Sequence, residues 1–153
     1  MTSRCSLKPM NIKVTHEDDF ETVWVENEVV AEVLWHTAET SETKFYSSPE
    51  SPLQMGIIFH EAGYVEPAHR HPNQTRQDSE TQQYLVLLNG IIEVDFFTRT
   101  GLFVRSVTLR THDSILIKAG VHRIRIHEQS KCLTLKQGPF TSLEKDKIFV
   151  DLG

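Results

Sequence analysis

Apolar and polar residues alternate along much of the chain, a pattern that predicts β-strands rather than helices. Residues 23–35 consist of two β-prone arms around a polar run at residues 26–28, which predicts a hairpin. Residues 83–97 again form two alternating arms, and the dipeptide Asn89-Gly90 between them is typical of a type I′ turn. The pattern therefore predicts a second hairpin, in a sheet with one apolar and one mostly polar face.

Further short strands are expected at close spacing. A turn at residues 99–101 precedes four β-rich segments, at residues 102–109, 113–118, 122–127 and 132–136. Residues 37–52 are rich in Ser, Thr, Glu and Pro and predict a loop, interrupted by a short segment at residues 44–46. Many short strands without a convincing helical period predict an all-β antiparallel sandwich or barrel.

The chain is expected to form one domain. Its 153 residues suit a single core, and no repeat or linker divides residues 1–153. The N-terminal strands are expected within residues 20–50 and a C-terminal arm over residues 138–153. This arm, with an apolar run at residues 148–150, is open to interpretation as a short helix, an edge strand or a closing arm.

Charge and composition narrow the function classes. The chain has 16 basic and 21 acidic residues and a formal net charge of −5, which disfavours nucleic-acid binding. No apolar run is long enough for a membrane span, and the first residues lack the apolar core of a secretion signal. Cys5 and Cys132 have neither zinc-site spacing nor the density of a disulfide scaffold. We therefore expect a cytoplasmic protein with reduced thiols.

Three histidines are the most informative side chains. His69 and His71 are one residue apart, so in an extended chain they project from the same face. His122 heads a strand in which Ile124 and Ile126 share its parity, and we expect it to point inward with them. Neutral imidazoles favour transition metals, so a divalent ion such as Fe, Ni, Zn, Cu or Mn is the expected cofactor.

Two stretches of the chain resemble the motifs of the cupin superfamily. Cupins are small β-barrels whose first motif carries a His-x-His pair, a later Glu and a Gly, and whose second carries a Gly followed by a His. Residues 63–90, with His69 and His71, are similar to the first motif, and residues 113–122 are similar to the second. The resemblance implies a cupin-type double-stranded β-helix, that is, an antiparallel jelly-roll barrel.

The resemblance also implies a ligand set, from which this chain departs. The fourth ligand of cupins is usually a Glu seven residues before the closing Gly, and Gln83 occupies that position. The implied metal ligands are His69, His71, Gln83 and His122. Glu80 is the alternative to Gln83, but an odd separation places it on the opposite strand face unless a β-bulge intervenes. Lys118 stands where the usual proline is expected, and a Gln ligand removes one negative charge from the site.

The spacing from Gly120 to His122 is one residue shorter than in most cupins. Together with residues 136–140, it resembles an uncharacterised group of bacterial single-domain cupins, over residues 53–150. This implies a site for a small polar molecule, such as a carbohydrate or a carboxylic acid, and leaves open whether the protein is a metal-dependent isomerase or an oxygenase. No catalytic residue is assigned. The candidate bases are Glu66, Glu80 and Glu93.

Two alternatives from other classes remain open. One is a non-catalytic ligand-binding or sensory module without a metal, and the other is a metal-independent sugar epimerase or isomerase. Arg76, Arg123 and Arg125 are candidates for holding an anionic substrate, although the last two alternate out of phase with His122. A homodimer is expected, because an all-β chain with many short strands must cover its edges.

Overall fold

The computed structural model describes residues 11–71, 80–137, 142 and 147–152. These residues form eleven β-strands, and none of them is helical. The strands are β1 (Ile12–Glu17), β2 (Phe20–Val25), β3 (Glu28–Leu34), β4 (Lys44–Phe45), β5 (Gly56–Ile57), β6 (Gln83–Asn89), β7 (Ile91–Phe97), β8 (Phe103–Arg110), β9 (Ser114–Ile117), β10 (Val121–Ile126) and β11 (Lys131–Lys136). All their pairings are antiparallel, which confirms the predicted all-β antiparallel class.

The strands form three sheets. One has the order β1-β2-β3-β9-β6-β11, a second has the order β10-β7-β8, and β4 and β5 form a two-stranded sheet. One buried cluster contains apolar side chains of both larger sheets, as in a β-sandwich. Its fully buried members include Val33, Leu87, Ile92 and Leu109. The sheets remain separate among the described residues, so no closed barrel is formed by them.

The N-terminal hairpin is confirmed, and it gains a strand that the sequence did not predict. β2 and β3 are joined by Glu26 and Asn27, whose φ angles of 51° and 70° match the positive values of a type I′ turn. β1 pairs with β2 in front of this hairpin, and so the strands begin at residue 12 rather than within residues 20–50. Its apolar alternation is limited to Ile12 and Val14, a run too short to predict a strand.

The predicted hairpin around Asn89-Gly90 is wrong, although both of its arms are strands. β6 pairs with β9 and β11, whereas β7 pairs with β8 and β10 in the other large sheet. Gly90 alone separates the strands, with a φ of 100°, and an added Cβ would lie 2.3 Å from Ser130 Oγ. Crossing between the sheets buries Leu87 and Ile92 in facing layers, which a hairpin within one sheet would not do.

A second apolar cluster covers part of the outer face of the six-stranded sheet. It contains Phe20, Leu34, Met55 and Leu116, and side chains of the loop between β3 and β5 pack against it. The part of the predicted C-terminal arm that the structure describes, residues 142 and 147–152, forms no regular element. In the described part of the chain, no helix has the length and apolar character needed to cross a membrane.

Candidate functional site

His69 and His71 lie next to each other in the segment that follows β5. Their ring centroids are 5.2 Å apart and the rings are nearly perpendicular, at 88°. The segment is exposed and forms no strand over residues 58–71. The structure therefore brings the predicted His-x-His pair together, but on an irregular segment rather than on a strand.

The local backbone fixes the tautomer of His69. Its Nδ1 lies 2.9 Å from the carbonyl oxygen of Pro67, and because a carbonyl only accepts, Nδ1 carries the proton. Nε2 of the neutral ring then keeps its lone pair, as a metal-ligating imidazole requires. The Glu66 carboxylate lies 3.8 Å from this Nε2. The arrangement places a carboxylate oxygen beside the ring nitrogen that could ligate a metal.

His122 lies on β10 and shares a face with Ile124 and Ile126. Its partner across the sheet is Phe96, a core residue, so this face of β10 is continuous with the sandwich interior. Burial lowers the pKa of the His122 ring, a hydrogen bond with the backbone of Gly120 acts in the opposite direction, and Lys147 lowers it further. The residue as a whole is exposed, and the lowered pKa of its ring favours the neutral imidazole, which is the form that binds a metal.

Gln83 and Glu80 have separate partners. Gln83 shares the inner face of β6 with the core residues Leu85 and Leu87, and its Nε2 donates to Thr134 Oγ1 at 3.2 Å. Glu80 lies outside β6 and forms a salt bridge with Arg99 at 2.9 Å. The carboxylate of Glu80 is therefore engaged at the surface, whereas the Gln83 amide lies along the inner face.

The predicted ligands do not form one site among the described residues. No three His, Cys, Asp or Glu side chains in that part of the chain are arranged to hold a metal. His69 and His71 are together, but His122 does not join them. Gln83 pairs with Ile117 at the end of β9, and a short connection leads from there to His122. Gln83 and His122 thus lie at the same end of the sandwich, on its two facing sheets.

The structure describes two of the three arginines predicted to bind an anionic substrate, and both form ion pairs with acidic residues of the chain. Arg123 and Arg125 lie on the outer face of their sheet, out of phase with His122 as expected. The Asp95 carboxylate, which is completely buried, accepts from Arg123 at 2.9 Å and from Arg125 at 2.8 Å. Arg125 also binds Glu93. These guanidinium groups stabilise the sheet face, and Arg76 lies outside the described residues.

A buried Asp113 and an exposed His36 form a pair that sequence reasoning missed. Oδ1 of Asp113 accepts from the His36 backbone N at 3.0 Å and contacts its Nδ1 at 2.8 Å. Oδ2 accepts from the backbone N of Arg110 at 2.8 Å. These contacts join the end of β3 to the turn between β8 and β9. The position of Asp113 at the head of the second motif was the available signal.

Comparison with known proteins gives no match, since no family model, curated protein or solved structure matches this chain.

Proposed function

We propose that this protein is a small metal-binding cupin whose interior accepts a small polar molecule, such as a carbohydrate or a carboxylic acid. His69, His71 and His122 hold a divalent transition metal in this proposal, with Gln83 as the fourth ligand. The observation that carries it is the His69 ring. Its Nδ1 contacts the Pro67 carbonyl oxygen at 2.9 Å, and the centroid of its ring is 5.2 Å from that of His71.

A closed jelly roll requires a further strand beside β10. Among the described residues, β10 is the outer strand of its sheet, and its inward-facing Ile126 is 60% exposed. The segment at residues 58–71 carries exposed apolar side chains, including Val65 at 82%. Pairing this segment with β10 would cover both apolar surfaces and bring His69 and His71 toward the strand that carries His122. The proposed barrel depends on this pairing.

The donor set fits a transition metal better than Mg²⁺ or Ca²⁺. Neutral imidazoles suit Zn, Fe, Ni and Cu, whereas Mg²⁺ and Ca²⁺ prefer oxygen-rich sites. The amide of Gln83 adds no negative charge, so the site would hold its metal less tightly than one with a carboxylate. A bound ion supplies Lewis acidity toward an oxygen of the ligand.

Glu66 is the proposed group for proton transfer. Its carboxylate lies 3.8 Å from His69 Nε2, within the segment that carries the histidine pair. The other two candidate bases have cationic partners, because Glu80 binds Arg99 and Glu93 binds Arg125. If the protein catalyses an isomerisation, Glu66 is therefore the base to change first.

We also propose a homodimer in the cytoplasm. β11 is an outer strand of the six-stranded sheet in the described chain, and its Leu133 and Leu135 are more than half exposed. Burying such side chains against a second copy would stabilise the pair. Light scattering is expected to give twice the monomer mass, and the monomer mass across a wide concentration range would contradict the dimer.

Zinc titration of metal-free protein by calorimetry tests the proposal. We expect one site in the unmodified protein and its loss in the His69→Ala, His71→Ala double variant. The matched control is His16→Ala, His127→Ala, which removes two exposed histidines whose partners are Glu21 and Glu93. Equal zinc binding by both double variants would contradict the site.

Ligand binding after chelation separates the alternatives. A sugar or acid that binds equally well to exhaustively chelated protein would favour a binding module without metal. Sugar epimerisation that survives chelation would favour a metal-independent epimerase. Loss of ligand binding on chelation, with recovery when zinc is added, is the result expected of the proposed cupin.

A further inference from the structure

β11 forms an edge of the six-stranded sheet in the described part of the chain, where its strand partner is β6 alone. An outer strand presents a row of backbone N–H and C=O groups to whatever lies beside it. Thr134 projects from the inner face, because it lies opposite the core residue Leu85. Leu133 and Leu135 project from the outer face and are 57% and 61% exposed. The edge therefore offers backbone groups for pairing and an apolar stripe on one face.

A second copy of β11 can pair with this edge in only a few registers. In a two-fold dimer with antiparallel strands, the axis is perpendicular to the sheet, so the outer faces of both copies lie on the same side. Side chains directly opposite each other in an antiparallel pair also lie on the same side. Odd-numbered residues therefore face odd-numbered ones, which excludes a slip by one residue. The registers that pair most of this six-residue strand have either Leu133 or Thr134 opposite itself.

The two remaining registers differ in what lies opposite the exposed leucines. With Leu133 opposite itself, Leu135 faces Lys131 of the partner subunit. With Thr134 opposite itself, Leu133 faces Leu135 of the partner subunit, and the two-fold axis repeats this pair. Directly opposite apolar side chains stabilise an antiparallel pair of strands. The second register is therefore favoured, because it matches every exposed leucine with a leucine and leaves Lys131 outside the matched pairs.

We propose that β11 pairs with β11 of a second copy in the register that places Thr134 opposite itself and Leu133 opposite Leu135 of the partner subunit. This pairing rests on the homodimer proposed above, for which it assigns the interface. The six-stranded sheets of the two copies become one continuous sheet, and the leucines form one apolar stripe on its outer face. Lys136 lies opposite Cys132 of the partner subunit, so that no lysine of the strand faces another.

Disulfide cross-linking tests the register. The background variant Cys5→Ser, Cys132→Ser removes both natural thiols. Thr134→Cys in this background is expected to give a covalent dimer on mild oxidation, because directly opposite Cα atoms are about 4.5–5.5 Å apart and a disulfide spans about 4.4–6.8 Å. Leu133→Cys is the matched control, since its two copies lie diagonally, at about 7–8 Å, and should remain unlinked. Cross-linking of Leu133→Cys alone, or of both variants equally, would overturn the register.

Light scattering of the background variant separates the assigned interface from the homodimer itself. The dimer mass together with a covalent Thr134→Cys dimer is the expected result. The dimer mass without cross-linking of either cysteine variant would leave the homodimer in place and overturn the assigned interface. The monomer mass across a wide concentration range would overturn both.

Two double variants test the same interface without cysteines. Leu133→Lys, Leu135→Glu places opposite charges across the axis and is expected to keep the dimer mass, whereas Leu133→Lys, Leu135→Lys places like charges there and is expected to give the monomer mass. Both leucines are more than half exposed in the single chain, so the variants are expected to fold, which circular dichroism checks. The same mass for both double variants would contradict the interface.

Discussion

Lys118 and Glu32 form a buried ion pair, with 2.9 Å between Nζ and Oε1 and with only 11% and 5% of their side chains exposed. Nζ also donates to Ser51 Oγ at 2.7 Å, and Ser47 Oγ donates to the other Glu32 oxygen. The two serines belong to the loop between β4 and β5. The pair therefore fastens this loop to the outer face of the six-stranded sheet.

Removing one partner of this pair is expected to destabilise the fold. Lys118→Met leaves the Glu32 carboxylate buried without its cation, which costs about 3–5 kcal/mol of unfolding free energy. The double variant Lys118→Met, Glu32→Leu should recover most of that loss, because an apolar pair needs no charge compensation. Urea unfolding measures both. A single variant as stable as the unmodified protein would contradict the role of the pair.

Asp113 is expected to matter more to stability than His36, which it binds. Asp113→Asn replaces one of two acceptor oxygens with a donor beside a backbone N–H, at a cost of about 1–3 kcal/mol. His36→Ala removes a half-exposed ring but leaves Asp113 bound to two backbone N–H groups, so its effect should be smaller. Thermal unfolding of the two variants checks this order, and the reverse order would contradict it.

The strands could be predicted from the sequence, but their pairing could not. Alternation located the two arms around Asn89-Gly90, yet alternation is the same whether the arms pair or cross between sheets. In the structure the chain crosses between the facing layers of the core at Gly90, where Ser130 of a distant segment leaves no room for a side chain. β1 went unpredicted because its apolar alternation is limited to Ile12 and Val14.

The candidate site, too, could be predicted only in part from the sequence. Spacing identified His69 and His71 as neighbours, and parity placed His122 on the same face as the isoleucines of its strand. The alternation of residues could not predict that this face of β10 is exposed, because its exposure depends on whether another strand pairs with β10. The ranking of the candidate bases required tertiary contacts, namely those of Glu80 with Arg99 and of Glu93 with Arg125.

Acid is expected to destabilise the metal-free protein through His122. Burial lowers the pKa of its ring below the ordinary value of about 6.5, so the unfolded chain binds a proton at a higher pH than the native protein. Stability that is complete above about pH 6.5 is therefore lost as the pH falls toward the lower native pKa. His122→Gln should remove this part of the loss. Urea midpoints at about pH 7.5 and 5.5 measure it, and equal losses in both proteins would contradict it.

Zinc is expected to protect the outer strand β10 from hydrogen exchange. If residues 58–71 pair with this strand when the metal binds, amides of β10 (Val121–Ile126) should exchange more slowly in the presence of zinc. The His69→Ala, His71→Ala variant should show no protection. Hydrogen exchange by β1 (Ile12–Glu17), an outer strand of the other large sheet, serves as the internal control. Equal protection of β1 and β10 would point to a general effect of zinc on stability.

Elemental analysis of protein purified without a metal-affinity tag is the most direct test of the proposed metal site. We expect close to one transition-metal ion per chain in the unmodified protein and its loss in the His69→Ala, His71→Ala double variant. The His16→Ala, His127→Ala variant should retain the metal. Protein with no metal, or with metal that persists in the His69→Ala, His71→Ala variant, would contradict the proposed metal-binding cupin.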